Sequence, residues 1–241
     1  RLSKHARLVI PAHPSFVKKG YLVEDMKYLS NYKLMEVLNG FRISTDHWDT
    51  ALSNGHLVYL IGNDDSHDVT DVSDVAKRFT MINAPENEAE LLLQALENGN
   101  AVGVDFQLRK NEALENKILR LEKDLPYIRQ VELRGDTLLI SASKKIGTIK
   151  FIGQNGEELD VQKRQTTAKY VVQPEDTYVR CVLMFSCGTT LYLNPITRHE
   201  SEEIVKQRLD KINYPKTIIL WTLYAVIFGF IVFIGLRGFR W

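Results

Sequence analysis

Asp65 and His67 are the residues of this chain best placed to do chemistry. They stand two apart near the end of the stretch from Leu57 to Asp68. That stretch begins as an apolar run, Leu57-Val58-Tyr59-Leu60-Ile61, and breaks at Gly62 into Asn63, Asp64, Asp65, Ser66, His67 and Asp68. In extended chain, residues two apart point to the same side. A carboxylate oxygen beside an imidazole nitrogen suits a divalent metal such as Zn, Mn or Fe. An apolar strand with polar residues at its C-terminal end is how α/β barrels present a site. A loop closed by an Asx turn would carry the same residues without any metal.

Other residues join this pair once the surrounding elements are read. The run Arg7 to Ala12 is a short apolar strand ending in His13-Pro14. Tyr21 to Tyr32 reads as a helix, Leu34 to Leu38 as a strand ending at Asn39-Gly40, and Thr45 to Leu52 as a helix stopping before Asn54-Gly55. With Leu57 to Ile61 as the next strand, the order strand, helix, strand, helix, strand marks βαβ units and a parallel sheet. Arg78 to Asn83 and Ala101 to Phe106 continue it as strands around a helix from Glu86 to Asn98. In parallel strands, His13, Asn39 and the Asp65/His67 pair all fall on one face. Polar residues placed at strand ends by chance would give the same list.

In this setting four runs resemble the PHP (polymerase and histidinol phosphatase) family. They are Ile10-Pro11-Ala12-His13-Pro14, Val37-Leu38-Asn39-Gly40, Trp48-Asp49 with Leu52 and Gly55, and Gly62-Asn63-Asp64-Asp65-Ser66-His67. The resemblance covers about residues 5–106 and implies a distorted, TIM-like β/α barrel that holds two or three divalent metal ions and hydrolyses phosphate esters. It implies His13, Asp65 and His67 as metal ligands, with Asn39, Asp64 and Ser66 next to metal or substrate. The family's N-terminal His-x-His, Asp-His and bridging Glu have no counterpart. The chain opens at Arg1 without an initiator Met, so only the C-terminal barrel units are expected, with weak metal binding and little activity on their own. Glu36 lies in a strand of uncertain register and is not assigned the bridging role. His5, His47, His56 and His199 match no motif, and His47 and His56 are expected on the surface.

Beyond a charged connecting helix in 107–126, the hydrophobic period changes to two. Candidate strands are 128–134, 137–143, 147–153, 157–161, 167–173, 177–186 and 190–193. Gly135-Asp136 and Asn155-Gly156 are two-residue hairpin signals. Arg134-Gly135-Asp136 spells an adhesion tripeptide but sits where a turn is needed. This region, 127–199, reads as an all-β sandwich and resembles the Ig-like domain that follows some PHP barrels. A polar stalk is expected at 200–216, a transmembrane helix at 217–236 and a basic tail at 237–241. Thr217 to Leu236 is 20 residues without a charge. At about 1.5 Å per residue that length crosses a hydrocarbon core of about 30 Å.

Composition excludes some classes. A net charge of +1 gives no nucleic-acid footprint. Two cysteines, Cys181 and Cys187, are too few for a disulfide framework or a zinc cluster and read as packing residues. The leading expectation is a membrane-anchored, metal-dependent phosphoesterase acting on a small phosphorylated substrate. It would cross the bilayer once, with its globular part outside the cytoplasm. Arg237 and Arg240 follow the span, whereas Lys206, Arg208, Lys211 and Lys216 precede it. A bare Lys/Arg count therefore favours the opposite side, but large domains cross largely regardless of charge. The alternative is a non-catalytic surface module with a degenerate barrel and a β-sandwich that binds a partner or glycan.

Overall fold

The computed structural model describes residues 6–16, 20–197 and 214–238. The chain divides into two compact units, 1–207 and 208–241. The first opens with a βαβ unit: β1 (Leu34–Asn39), α1 (Thr45–Ser53) and β2 (Tyr59–Asn63). The two strands pair in parallel, from Leu34 opposite Tyr59 to Asn39 opposite Asn63. This part follows the expected alternation. The segment before it does not. Residues 6–12 form no strand, and Pro11 offers only its carbonyl to the Glu36 amide, at 3.1 Å. The helix expected over 21–32 shrinks to a 3-10 helix, Val23–Lys27, where the Asp25 carboxylate takes the Leu22 amide at 2.8 Å.

The remaining strands are β3 (Arg78–Ile82), β4 (Ala101–Asp105), β5 (Ile128–Arg134), β6 (Thr137–Ile152), β7 (Glu158–Val171), β8 (Tyr178–Phe185) and β9 (Thr190–Thr197). They form one antiparallel sheet in the order β3-β4-β9-β8-β6-β5, with β7 on the other side of β6. Two helices lie between its strands in sequence, α2 (Ala89–Glu97) and α3 (Leu114–Lys123). The expectation for β3 and β4 is corrected. They are antiparallel, and β4 lies beside β9, with Val102 opposite Leu193. The sheet therefore crosses the boundary expected at residue 106.

The architecture is a set of helices with a curled antiparallel sheet, a half-barrel. The curl has a local cause. The segments 137–143 and 147–153 are one strand, β6, with a register shift between Ser141 and Ile146. β5 pairs with the first half of β6 and β8 with the second half. A bulge of this kind bends a strand and increases its twist. Inside the curl, Val104, Phe106, Leu138, Ile140, Ile149, Phe151, Leu183 and Leu191 form the main core. Cys181 belongs to the same core as a free thiol, with its pKa pushed up by burial.

The parallel pair packs on this sheet through a second core that includes Leu38, Trp48, Leu60 and Tyr178. A Cβ on Gly103 of β4 would lie 2.4 Å from Leu60 Cδ1 and 2.7 Å from Leu38 Cδ1, so a larger residue there would force these two leucines to move. Side chains stitch the two sheets together. Asn194 Oδ1 accepts the Leu60 amide at 2.8 Å, and its Nδ2 donates to the carbonyls of Gly99 and Ala101 at 2.9 and 3.1 Å. The Thr80 hydroxyl accepts the Gly62 amide and donates to the Gly62 carbonyl, both at 2.8 Å. Arg180 of β8 holds Asp49 of α1 through two bonds of 2.6 Å, and Tyr178 OH donates to the same carboxylate at 3.0 Å. His47 and His56 are buried, contrary to the surface expectation. Their Nε2 atoms bond the carbonyls of Tyr21 at 2.9 Å and Lys27 at 3.2 Å, pinning the segment around the 3-10 helix.

The second unit contains α4 (Tyr214–Gly238). Its stretch Tyr214–Gly235, 22 residues, is long and apolar enough to cross a membrane. The expected stalk, up to residue 213, and the last three residues of the basic tail lie outside the described residues.

Candidate functional site

β1 is buried at all six positions, yet two of them are polar, Glu36 and Asn39. A strand covered on both faces has no water for such groups, so each must find a protein partner. Glu36 does so on both oxygens. Oε2 accepts the backbone N–H of His13, and Oε1 accepts Asn39 Nδ2 at 2.9 Å. Asn39 Nδ2 also donates to Asp65 Oδ2 at 3.1 Å, and its Oδ1 accepts the Phe41 amide at 3.0 Å. His13, Glu36, Asn39 and Asp65 are thus joined at the C-terminal end of β1. Both His13 (φ 32°) and Asp65 (φ 49°) sit in the left-handed region, conformations held by surrounding contacts. The His13 ring lies 5.2 Å from Phe16, and its Nδ1 is buried and, among the described residues, has no hydrogen-bond partner.

The rest of the motif builds a loop. Asn63 Oδ1 accepts the Asp65 amide at 3.0 Å, which is the Asx turn weighed for this sequence. Asp64 accepts the backbone amides of Ala76, Lys77 and Arg78, the last two at 2.7 Å, and so closes the loop onto the start of β3. Asp74 does the same from inside. It accepts the amides of His67 and Asp68 at 2.7 and 3.0 Å and the Ser66 hydroxyl at 3.2 Å. Those donors, the Asp68 and His67 amides first, hold its carboxyl below the ordinary value. His67 is exposed, with its ring edge-on to Phe41 at 5.7 Å.

Two residues absent from the sequence-derived set matter here. Glu36 is the hub of the cluster. Its signal was a lone carboxylate in an otherwise apolar run, which a buried parallel strand does not tolerate without a partner. Lys117 is the other. It reaches from α3 into the loop, 2% exposed, and donates to the carbonyls of Val72, at 2.6 Å, and Val75. Burial lowers its pKa, and the Asp64 charge opposes that shift. Helical spacing alone did not single out this lysine.

The donor types suit a divalent ion, and the orphaned His13 Nδ1 leaves a nitrogen free to bind one. The arrangement is less complete. Asp65 and His13 share the Glu36–Asn39 hub, while His67 stands apart on the loop. Among the described residues, no three His, Cys, Asp or Glu side chains group to hold a metal ion. Asp64 and Ser66 are engaged in closing the loop. No family model, curated protein or solved structure matches this chain.

Proposed function

We propose that this chain belongs to a membrane-anchored, metal-dependent phosphoesterase of the PHP type. The observation that carries the reading is the buried Glu36 hub at the end of a parallel strand, which ties His13 and Asp65 together. In this reading the β1–α1–β2 unit is the barrel-like part, and the half-barrel sheet takes the place of the Ig-like domain. α4 anchors the chain in the bilayer, with the globular unit outside the cytoplasm.

His13, Asp65 and His67 would be the ligands this chain contributes. An ion takes roughly four to six ligands, so water, phosphate oxygens or further protein groups supply the balance. The chemistry such an ion supplies when bound is a more acidic water and a polarised phosphoryl oxygen. Glu36 and Asn39 would fix the position of the Asp65 carboxylate and the His13 backbone. The substrate class is a small phosphate ester.

The test is Mn2+ and Zn2+ affinity by calorimetry on the full chain in lipid nanodiscs, with hydrolysis of p-nitrophenyl phosphate measured alongside. Weak binding that falls further in Asp65→Ala and His67→Ala is the expected result. Unchanged affinity in both variants would sink the ligand assignment. Among the described residues, the lack of a three-ligand group favours the second reading, a non-catalytic surface module. Absence of metal-dependent heat would overturn the metal reading; absence of turnover alone would not, because little activity is expected of this chain.

A further inference from the structure

A second candidate site lies at the opposite end of β2 from Asp65. There, a cleft of about 570 Å3 opens between the ends of β3, β4 and β9 and the edge strand β5. That volume falls within the roughly 300–1,000 Å3 of small-molecule sites. Its floor is apolar, with Met81, Val102 and Leu193 among the lining residues. Its walls carry Tyr59, Asn83, Asn98, Asn100, Tyr127 and Arg129. Of its 18 described lining residues only Arg129 is charged, on a chain that is 25% charged. Among the described residues, the side chains of Tyr59, Asn83, Asn98, Asn100 and Tyr127 make no hydrogen bond within the protein.

We infer that this cleft binds a neutral oligosaccharide, a property independent of the phosphoesterase reading. Each amide offers two donors and an acceptor, a set that pairs with adjacent hydroxyls on a sugar ring. Tyr127, 51% exposed and lining the cleft, offers aromatic surface against which the apolar face of a sugar can pack. Asn194 is spent on Leu60, Gly99 and Ala101, so the floor beneath these groups is fixed before a ligand arrives. A phosphate or carboxylate ligand finds one guanidinium here and no bidentate clamp of several cations. An extended peptide can pair with the free edge of β5 alone, because Pro195 removes an amide donor on the β9 side, so it would be held along one flank only.

The test is calorimetric titration of the full chain in phosphatidylcholine nanodiscs with maltotriose, cellotriose and chitotriose. Sugar-headgroup detergents are avoided because they would compete. At least one trisaccharide is expected to bind saturably. Tyr127→Ala should weaken it roughly tenfold and Asn100→Ala roughly three- to tenfold, while Tyr127→Phe keeps most of the affinity. Far-UV circular dichroism checks that each variant stays folded. The proposal is overturned if none of the three sugars binds, or if binding survives both alanine variants. It is also overturned if a neutral peptide, acetyl-Thr-Val-Thr-Val-Thr-Val amide, binds more tightly than every sugar.

Discussion

Glu36 and Glu132 are the same residue type in two strands, and they do different work. Glu36 sits in β1, where all six positions are buried, and its two oxygens tie His13 and Asn39 into one cluster. Glu132 sits in β5, an edge strand, and bonds Gln130 at 2.7 Å and Arg134 at 2.8 Å along its own chain. Surface pairs of the second kind contribute about 0–1 kcal/mol, because water competes for both partners. A carboxylate on a doubly covered strand has no such alternative. It dictates the geometry of its neighbours, which is why the candidate chemistry collects at β1 and not at β5.

The contrast can be pressed hardest with the buried ion pair. Asp49→Ala leaves Arg180 charged, 3% exposed and without its carboxylate, and should cost about 3–5 kcal/mol in urea denaturation. Glu132→Ala at the edge should leave the urea midpoint nearly unchanged, because water replaces its partners. Equal losses in the two variants would remove the distinction between the regions. The double variant Asp49→Leu/Arg180→Met should recover most of the loss, because it leaves no unpaired charge behind.

Lys117→Met comes next. It strips a donor from two backbone carbonyls at a cost of about 1–3 kcal/mol, since each buried acceptor loses its partner. Amide exchange should rise across residues 72–76 more than in β6. A uniform rise would mean that Lys117 supports the whole fold and does not clamp the loop.

The smallest effect is a pH response of the exposed side of the loop. The Asp74 carboxyl is held below its ordinary value of 3.8 by backbone amides, so its contribution is full above that pH and is lost as pH falls through the depressed value. The side-chain carboxyl 13C resonance of Asp74 should titrate with a midpoint below 3.8. A midpoint at or above 3.8 would show that the bonds to Asp74 are absent in solution.

Local signals in the sequence placed many elements well. β1, α1 and the turn at Gly135-Asp136 stand where apolar runs and turn residues put them. Pairing partners were not legible. Val102 meets Leu193 across 91 positions, and no periodicity in either strand records that meeting. β6 read as two strands because Lys144 and Lys145 interrupt its apolar pattern, although the backbone runs on through a bulge. The candidate site divides in the same way. Asp65 and Asn39 were readable as strand-end residues, whereas His13 follows a segment that forms no strand. Glu36 depended on a register that only the pairing of β1 with β2 establishes, and Lys117 on a helix packed against a loop more than 40 residues away. His47 and His56 looked like surface residues because their partners are backbone carbonyls of an irregular segment, which no sequence pattern announces.

Asn194 and Thr80 occupy the hydrogen-bonding edge of β2, and this has a consequence for the nascent chain. An uncovered strand edge is a template for strand addition and aggregation. The Leu60 amide is taken up by a residue made 134 positions later, so much of the chain must be synthesised before that edge is closed. Contacts of such separation form slowly because loop closure precedes any gain from them. The parallel pair therefore passes through synthesis with a sticky flank, and the arrival of β9 is the step that makes it safe.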